Sequence, residues 1–365
     1  MKSEKMIFIL LLMFVFSLSF ASAAWWDTSW IKRQEINISN VGTIQTNYSV
    51  KINLTYNSNM NVDFSDLRFL NSSNDGVLDF WLQDVVNSTS AIAWVKVSSL
   101  AAGTTTIYLY YNNSGASSIS NGSATFLLFD DFEDGTIDST LWTKADSGNK
   151  FTESGGKLVV SGENGAWTHA MYSTQSFNRS DLSFEFDYWW RSNNPSYDAL
   201  MMGWKDDGTG ASYSNFVYAY YNPGGGSGTS IAQLVYEDAN YRGTTGYNWV
   251  MNDSYDVRVR MKNAGGAFYD YSTTNGTTWT NAYSSSYSTE STLHVGWPYY
   301  AGVHEFDNVR VRKWMTTEPT STFGTEENAD ITPPQITLNL PSDTFNTSSQ
   351  NITFNFTATE DYPGT

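Results

Sequence analysis

The chain contains no cysteine and only three histidines among its 365 residues. The first absence removes disulfides, so each folded unit must rest on its own apolar core. The two together argue against a zinc centre, which draws on thiolates and imidazoles. Basic residues are also scarce: 20 Lys and Arg stand against 37 Asp and Glu, giving a formal charge of −17. So acidic a chain is unsuited to a nucleic-acid backbone, which demands a basic face, and no nucleic-acid partner is expected. Sustained helical periodicity is missing beyond the first two dozen residues. What is abundant is aromatic: 14 Trp, 23 Tyr and 21 Phe make up 16% of the chain. Aromatic and β-branched residues favour strands. Clusters of Gly, Asn, Ser and Thr recur about every ten residues, as turns between strands would. The predicted fold class is therefore all-β, built as tandem β-sandwiches, with an N-terminal signal peptide preceding them.

Residues 1–23 carry that leader. Lys2 and Lys5 precede an almost purely apolar run over 6–20, and Ala21-Ser22-Ala23 follows as a small-x-small cleavage site. The competing reading is a transmembrane anchor, but the run falls short of the roughly 20 residues needed to span a bilayer. The chain is thus expected to be exported to the cell surface or beyond, with a mature start at Ala24 or Trp25. A membrane link is expected only through an anchor outside this chain.

A first module is expected over 24–123, with strands at 34–39, 48–56, 67–70, 78–83, 92–97 and 105–111. It contains Trp26-Asp27-Thr28-Ser29-Trp30 with Lys32-Arg33, then Asp66-Leu67-Arg68-Phe69, Leu78-Asp79-Phe80-Trp81, Ala93-Trp94-Val95-Lys96-Val97 and Thr106-Ile107-Tyr108-Leu109-Tyr110-Tyr111. In these motifs and their order it resembles the domain of unknown function 2341 family of archaeal and bacterial surface proteins. The resemblance implies an exterior β-sandwich and no particular activity. A second module is expected over 124–318. It opens on Phe129-Asp130-Asp131-Phe132-Glu133-Asp134-Gly135 and closes on Phe306-Asp307-Asn308-Val309-Arg310-Val311. That opening and closing resemble concanavalin A-like and laminin-G-like jelly rolls, in which the first and last strands lie side by side. Residues 319–332, rich in Thr, Glu and Pro, read as a linker. From 333 the chain resembles the start of the immunoglobulin-like repeats of such surface proteins. About 100 residues are needed for that sandwich, so 333–365 is expected to be an incomplete piece.

Three constellations are candidates for function. Glu185 and Asp187 alternate onto one face of a strand, as the acid and nucleophile of some jelly-roll glycosidases do. The third carboxylate of that pattern is missing, because Tyr188, Trp189 and Trp190 follow. Retaining glycosidases need two carboxyls about 5 Å apart, and the strand does not supply the full set, so a catalytic role is the weaker expectation. Asp130, Asp131 and Glu133, with Asp307 brought near if the end strands pair, offer oxygen ligands of the kind Ca²⁺ prefers. The alternative is that these acids cap turns. Calcium is the one cofactor the pattern admits. Finally, Trp189, Trp190, Trp204, Tyr218, Tyr220 and Trp297, together with Tyr221, Trp249 and Tyr300, exceed what one core requires. Some should form a face that stacks on sugar rings, although any single ring is more readily a core filler. Arg258, Arg260 and Lys262 form a basic row read as a solvated face.

Acceptor sequences for N-glycosylation are frequent but only modestly above chance. Alternation points Asn53, Asn351 and Asn355 outward. The expected function is binding of glycans or neighbouring surface proteins through the second module without catalysis. The alternatives are a glycoside hydrolase or lyase on the same fold, and a passive stalk or envelope component.

Overall fold

The computed structural model describes residues 25–162, 166–191, 198–206, 211–222, 230–287, 292–330, 335–340 and 354–359. The leader and Asn351 lie outside them. Among the described residues no helix is long and apolar enough to cross a membrane.

The first sandwich faces a four-stranded sheet against a three-stranded one. The former runs Thr320–Asn328, Lys32–Asn40, Gly103–Tyr111, Arg68–Leu70; the latter runs Gln45–Thr55, Ser90–Leu100, Phe80–Val86. Alternation drives the layering. Val50, Ile52 and Leu54 are buried, while Lys51 and Asn53 between them point away from the core. With Ile36, Phe69, Phe80, Val95 and Ile107 they fill the space between the sheets. The recurrent motifs have definite structural work. Fully buried Asp66 accepts hydrogen bonds from the backbone N–H groups of Asn61 (2.9 Å) and Asn112 (2.7 Å), tying two loops together. Trp30 donates its indole N–H to the Asp66 carbonyl and covers the Arg68 guanidinium at 5.0 Å. Buried Arg33 sits between Trp25 and Tyr108 and pairs with Glu327 at 2.7 Å.

That last contact overturns the expected linker. Within 319–332, Thr320–Asn328 is an edge strand of the first sandwich, antiparallel to Lys32–Asn40 with Lys32 opposite Asn328 and Ile36 opposite Phe323. The second sandwich is therefore inserted between two strands of the first. The insertion is possible because its own ends meet: Leu128–Asp130 pairs with Val309–Val311, as the jelly-roll resemblance implied.

The inserted sandwich has two large antiparallel sheets. The near sheet, facing the first module, orders Thr280–Ser284, Ala267–Ser272, Ser254–Met261, Leu182–Trp190, His304–Lys313, Leu158–Val160 and Phe151–Glu153. The far sheet orders Asn240–Val250, Ser230–Glu237, Phe216–Asn222, Ala199–Lys205, Thr292–Ala301, His169–Ser173 and Trp142–Ala145. Leu182, Phe184, Phe186 and Tyr188 enter the core by alternation and meet Trp204, Trp249 and Trp297 from the other sheet and its edge. In the region expected to open an immunoglobulin-like unit, Gln335–Leu340 and Asn355–Thr359 form an antiparallel pair, with Asn355 exposed.

Candidate ligand-binding surfaces

Five of the six rings expected to line a ligand face are core residues instead. Trp190, Trp204, Tyr218, Tyr220 and Trp297 are fully buried. Their polar ends are mostly spent internally: Trp204 donates to the Val259 carbonyl at 2.8 Å, Trp190 to Asp198 at 2.8 Å, and Tyr218 to the Tyr287 carbonyl at 2.7 Å. The cause is the strand period. Trp190 shares its face with Phe184, Phe186 and Tyr188, so it must point inward with them. Trp189 points the other way. It is partly exposed and carries the Lys157 ammonium over its ring at 4.4 Å.

The opposite phase of the far sheet supplies the face that the expected residues do not. Trp167, Tyr213, Tyr221, Tyr236 and Tyr300 are partly exposed, and Tyr241 is 54% exposed. Trp167, Tyr213, Tyr221 and Tyr236 pack over buried Met201, Phe216 and Ala219, and Tyr300 and Tyr241 extend the strip through ring contacts. Trp167 lies 5.3 Å from Tyr213, 5.9 Å from Tyr221 and 5.5 Å from Tyr300, between ring centroids. Tyr221 lies 5.0 Å from Tyr236, which lies 5.8 Å from Tyr241. The signal was present in the sequence as Tyr220-Tyr221: adjacent rings in a strand face opposite ways, and sorting by phase separates the core filler from the surface ring.

The outer face of the near sheet is closed off by the first module. Lys51, Gln83 and Trp94 from the three-stranded sheet face Glu185, Asp256, Arg258, Arg310 and Arg312 across a cleft of about 440 Å³, with Trp279 and Phe323 also lining it. Glu185 is buried and gives one oxygen to Arg310 (3.0 Å) and the other to Arg312 (2.9 Å). Burial alone would raise its pKa, but Arg312, Arg310 and Arg258 outweigh that and hold the carboxyl well below the usual range. Both oxygens of this catalytic candidate are thus committed to guanidinium groups. Asp187 behaves oppositely. Burial, reinforced by Asp256 directly across the ladder, pushes it up to about 8. Asn308 donates to its Oδ2 at 2.7 Å, while buried Oδ1 has no hydrogen-bond partner among the described residues.

The basic row is not a solvated face. Arg258 is buried with its guanidinium 4.0 Å from the Trp279 ring centroid, Arg258 and Arg260 share Asp270 at 3.0 and 2.6 Å, and Lys262 donates to the Ser285 carbonyl.

The acidic rim is assembled only in part. Asp130 accepts from the Trp142 indole (2.7 Å) and the Phe132 backbone (2.9 Å), and Asp307 pairs with Lys157 at 3.6 Å. Burial raises both carboxyls to about 6, with Glu133 and Asp131 adding to the effect at Asp307. Among the described residues no group of three or more Asp, Glu, His or Cys is arranged to hold a metal ion. As placed, Asp130, Asp131, Glu133 and Asp307 do not fit a calcium site. The partners of Asp130, Asp131 and Asp307 are an indole, backbone amides and a lysine.

Residues 63–145 match the family described as Domain of unknown function (DUF2341). No curated protein matches the chain. Similar solved structures include a carbohydrate binding module, CBM66, from Bacillus subtilis, with 11% identity and a TM-score of 0.36 over 49% of this chain and 99% of that one. Lectin II from Ulex europaeus is 10% identical with a TM-score of 0.38, covering 49% of this chain and 95% of its own. A GH43 protein, the BlXynB mutant from Bacillus licheniformis, is 13% identical with a TM-score of 0.40, covering 65% and 46%.

Proposed function

We propose that this is an exported protein that binds glycan chains on the aromatic strip of its inserted sandwich, without catalysing their cleavage. The strip carries the proposal. Six partly exposed Trp and Tyr rings in one connected row offer apolar faces to the C–H faces of successive sugars, with indole and phenol groups at their edges to meet hydroxyls. An extended glycan suits a row of rings on a sheet better than a closed pocket would. The non-catalytic reading is supported by Glu185, whose oxygens are both held by arginines. Export is supported by the leader sequence at 1–23. The first module would then hold the binding sandwich at the cell exterior, where neighbouring surface proteins are further partners. A calcium requirement would need the acidic rim to rearrange.

Two measurements test this reading. Material collected outside the cell should begin at Ala24 or Trp25; a product that retains 1–23 would refute cleavage. Sedimentation with insoluble polysaccharides should show binding that falls about tenfold in Trp167→Ala or Tyr221→Ala, a loss of about 1.4 kcal/mol. Retention of all binding in a Trp167→Ala/Tyr221→Ala/Tyr300→Ala triple variant would remove the strip from consideration.

A further inference from the structure

We infer that the cleft between the two sandwiches is a second binding site, and that it takes a sugar bearing a carboxylate. This goes beyond the aromatic strip, which lies on the opposite sheet and does not contribute to it. The cleft exists only because one module is inserted in the other: its walls are Lys51, Gln83 and Trp94 on one side and Glu185, Arg258 and Arg310 on the other. Its volume of about 440 Å³ falls in the range of small-molecule sites.

Hydrogen-bond donors remain in the cleft after its internal ion pairs are formed. Glu185 is shared between Arg310 and Arg312, and Glu318 pairs with Arg312 at 2.8 Å. Asp270 is shared between Arg258 and Arg260. Arg312 therefore engages all three guanidinium nitrogens, while among the described residues Arg258 engages only its Nε, with Asp270. Among the described residues Lys51 has no carboxylate within 4.0 Å. It donates once, to the Gly276 carbonyl at 2.8 Å. Gln83 uses its oxygen to accept the Trp94 indole N–H at 2.9 Å, which leaves its amide NH₂ for the cleft. Asp256 and Asp84 take amide donors instead of cations, from Gly276 (2.7 Å) and Asn275 (2.8 Å). Formal charge around the cleft is thus close to parity, and the surplus is one of N–H groups converging on a small space. The ligand that answers it carries clustered acceptors. A planar carboxylate fits the fork of Arg258 and the ammonium of Lys51. Trp279 has its ring stacked by Arg258 and is partly exposed, so it can flank the sugar ring. Asn53, Thr320 and Phe323 are exposed at the mouth.

Isothermal titration of the whole chain with di- and trisaccharides of galacturonate and glucuronate, beside their neutral galactose and glucose counterparts, tests the assignment. The acidic sugars should bind and the neutral ones should be at least tenfold weaker. Lys51→Met and Trp279→Ala, both at partly exposed positions, should each lower acidic-sugar affinity at least tenfold, and Lys51→Arg should retain most of it. A matching melting curve confirms that each variant is folded. Equal binding of neutral and acidic sugars would overturn the proposal. So would no binding of either class, or acidic-sugar binding unchanged in both loss variants. Loss of acidic-sugar binding in Trp167→Ala would instead assign it to the aromatic strip and equally refute the cleft. Polysaccharide sedimentation in Lys51→Met should be unaltered, so the two sites can fail independently.

Discussion

Two carboxylates two residues apart on one strand have opposite fates, and the difference is set by what stands across the ladder. Glu185 faces Arg258 and Arg310, whereas Asp187 faces Asp256. The sequence shows the pair but not its neighbours, which come from strands some 70 and 120 residues away. Glu185 is therefore legible as outward-facing and illegible as an ion-pair centre. For Asp187 the pH consequence has a definite sign. Its folded pKa of about 8 exceeds the ordinary carboxylate value of 3.8, so between those limits the folded state binds more protons than the unfolded. Stability carried by this group is full below pH 4 and declines as pH rises toward 8. Asp187→Asn keeps an acceptor for Asn308 and removes the titration. Its melting temperature should exceed that of the parent increasingly from pH 5 to pH 8. Parallel curves across that range would show that Asp187 does not titrate as argued. The six expected ring positions carry a related lesson. Alternation decides which aromatics point inward, and Trp189 and Trp190 differ for that reason alone.

At the scale of elements, first-module strands such as Gln45–Thr55 were readable because alternate side chains from Val50 to Leu54 are buried. Residues 48–56 and 92–97 fall within Gln45–Thr55 and Ser90–Leu100 to within a residue. Thr320–Asn328 gives no such signal, since all its residues are exposed or half-buried. It is held by the backbone ladder to Lys32–Asn40 and by charge: Glu326 meets Lys32 at 2.5 Å and the Tyr111 hydroxyl at 2.6 Å, and Glu327 meets Arg33. An edge strand decorated with charge looks like a linker in composition. The two readings separate by experiment. If the strand is in place, limited proteolysis of the folded chain should spare 320–328, and truncation after Glu318 should expose Lys32–Asn40 and lower the melting temperature of the first module by several degrees. Rapid cleavage within 320–328, with an unchanged first module in the truncated chain, would restore the linker.

Taken as a whole, the molecule was legible as all-β tandem sandwiches. The nesting of one sandwich inside the other was not, because it depends on pairing between segments about 290 residues apart. Sequence order suggested beads on a string. The ladder register shows instead that the chain leaves the first sandwich and returns to it, with the two modules clamped by Tyr48 to Glu318, Ser49 to the Thr125 carbonyl and Lys313 to the Thr46 carbonyl. Nesting also created the cleft, which neither module possesses alone. It has a mechanical consequence too. Lys32 lies opposite Asn328, so the segments preceding and following this strand pair emerge side by side. Tension applied between them would part the ladder one rung at a time, like a zipper, rather than shear all its rungs together. The load path would bypass the inserted sandwich, leaving both proposed binding surfaces unstrained until that ladder opened.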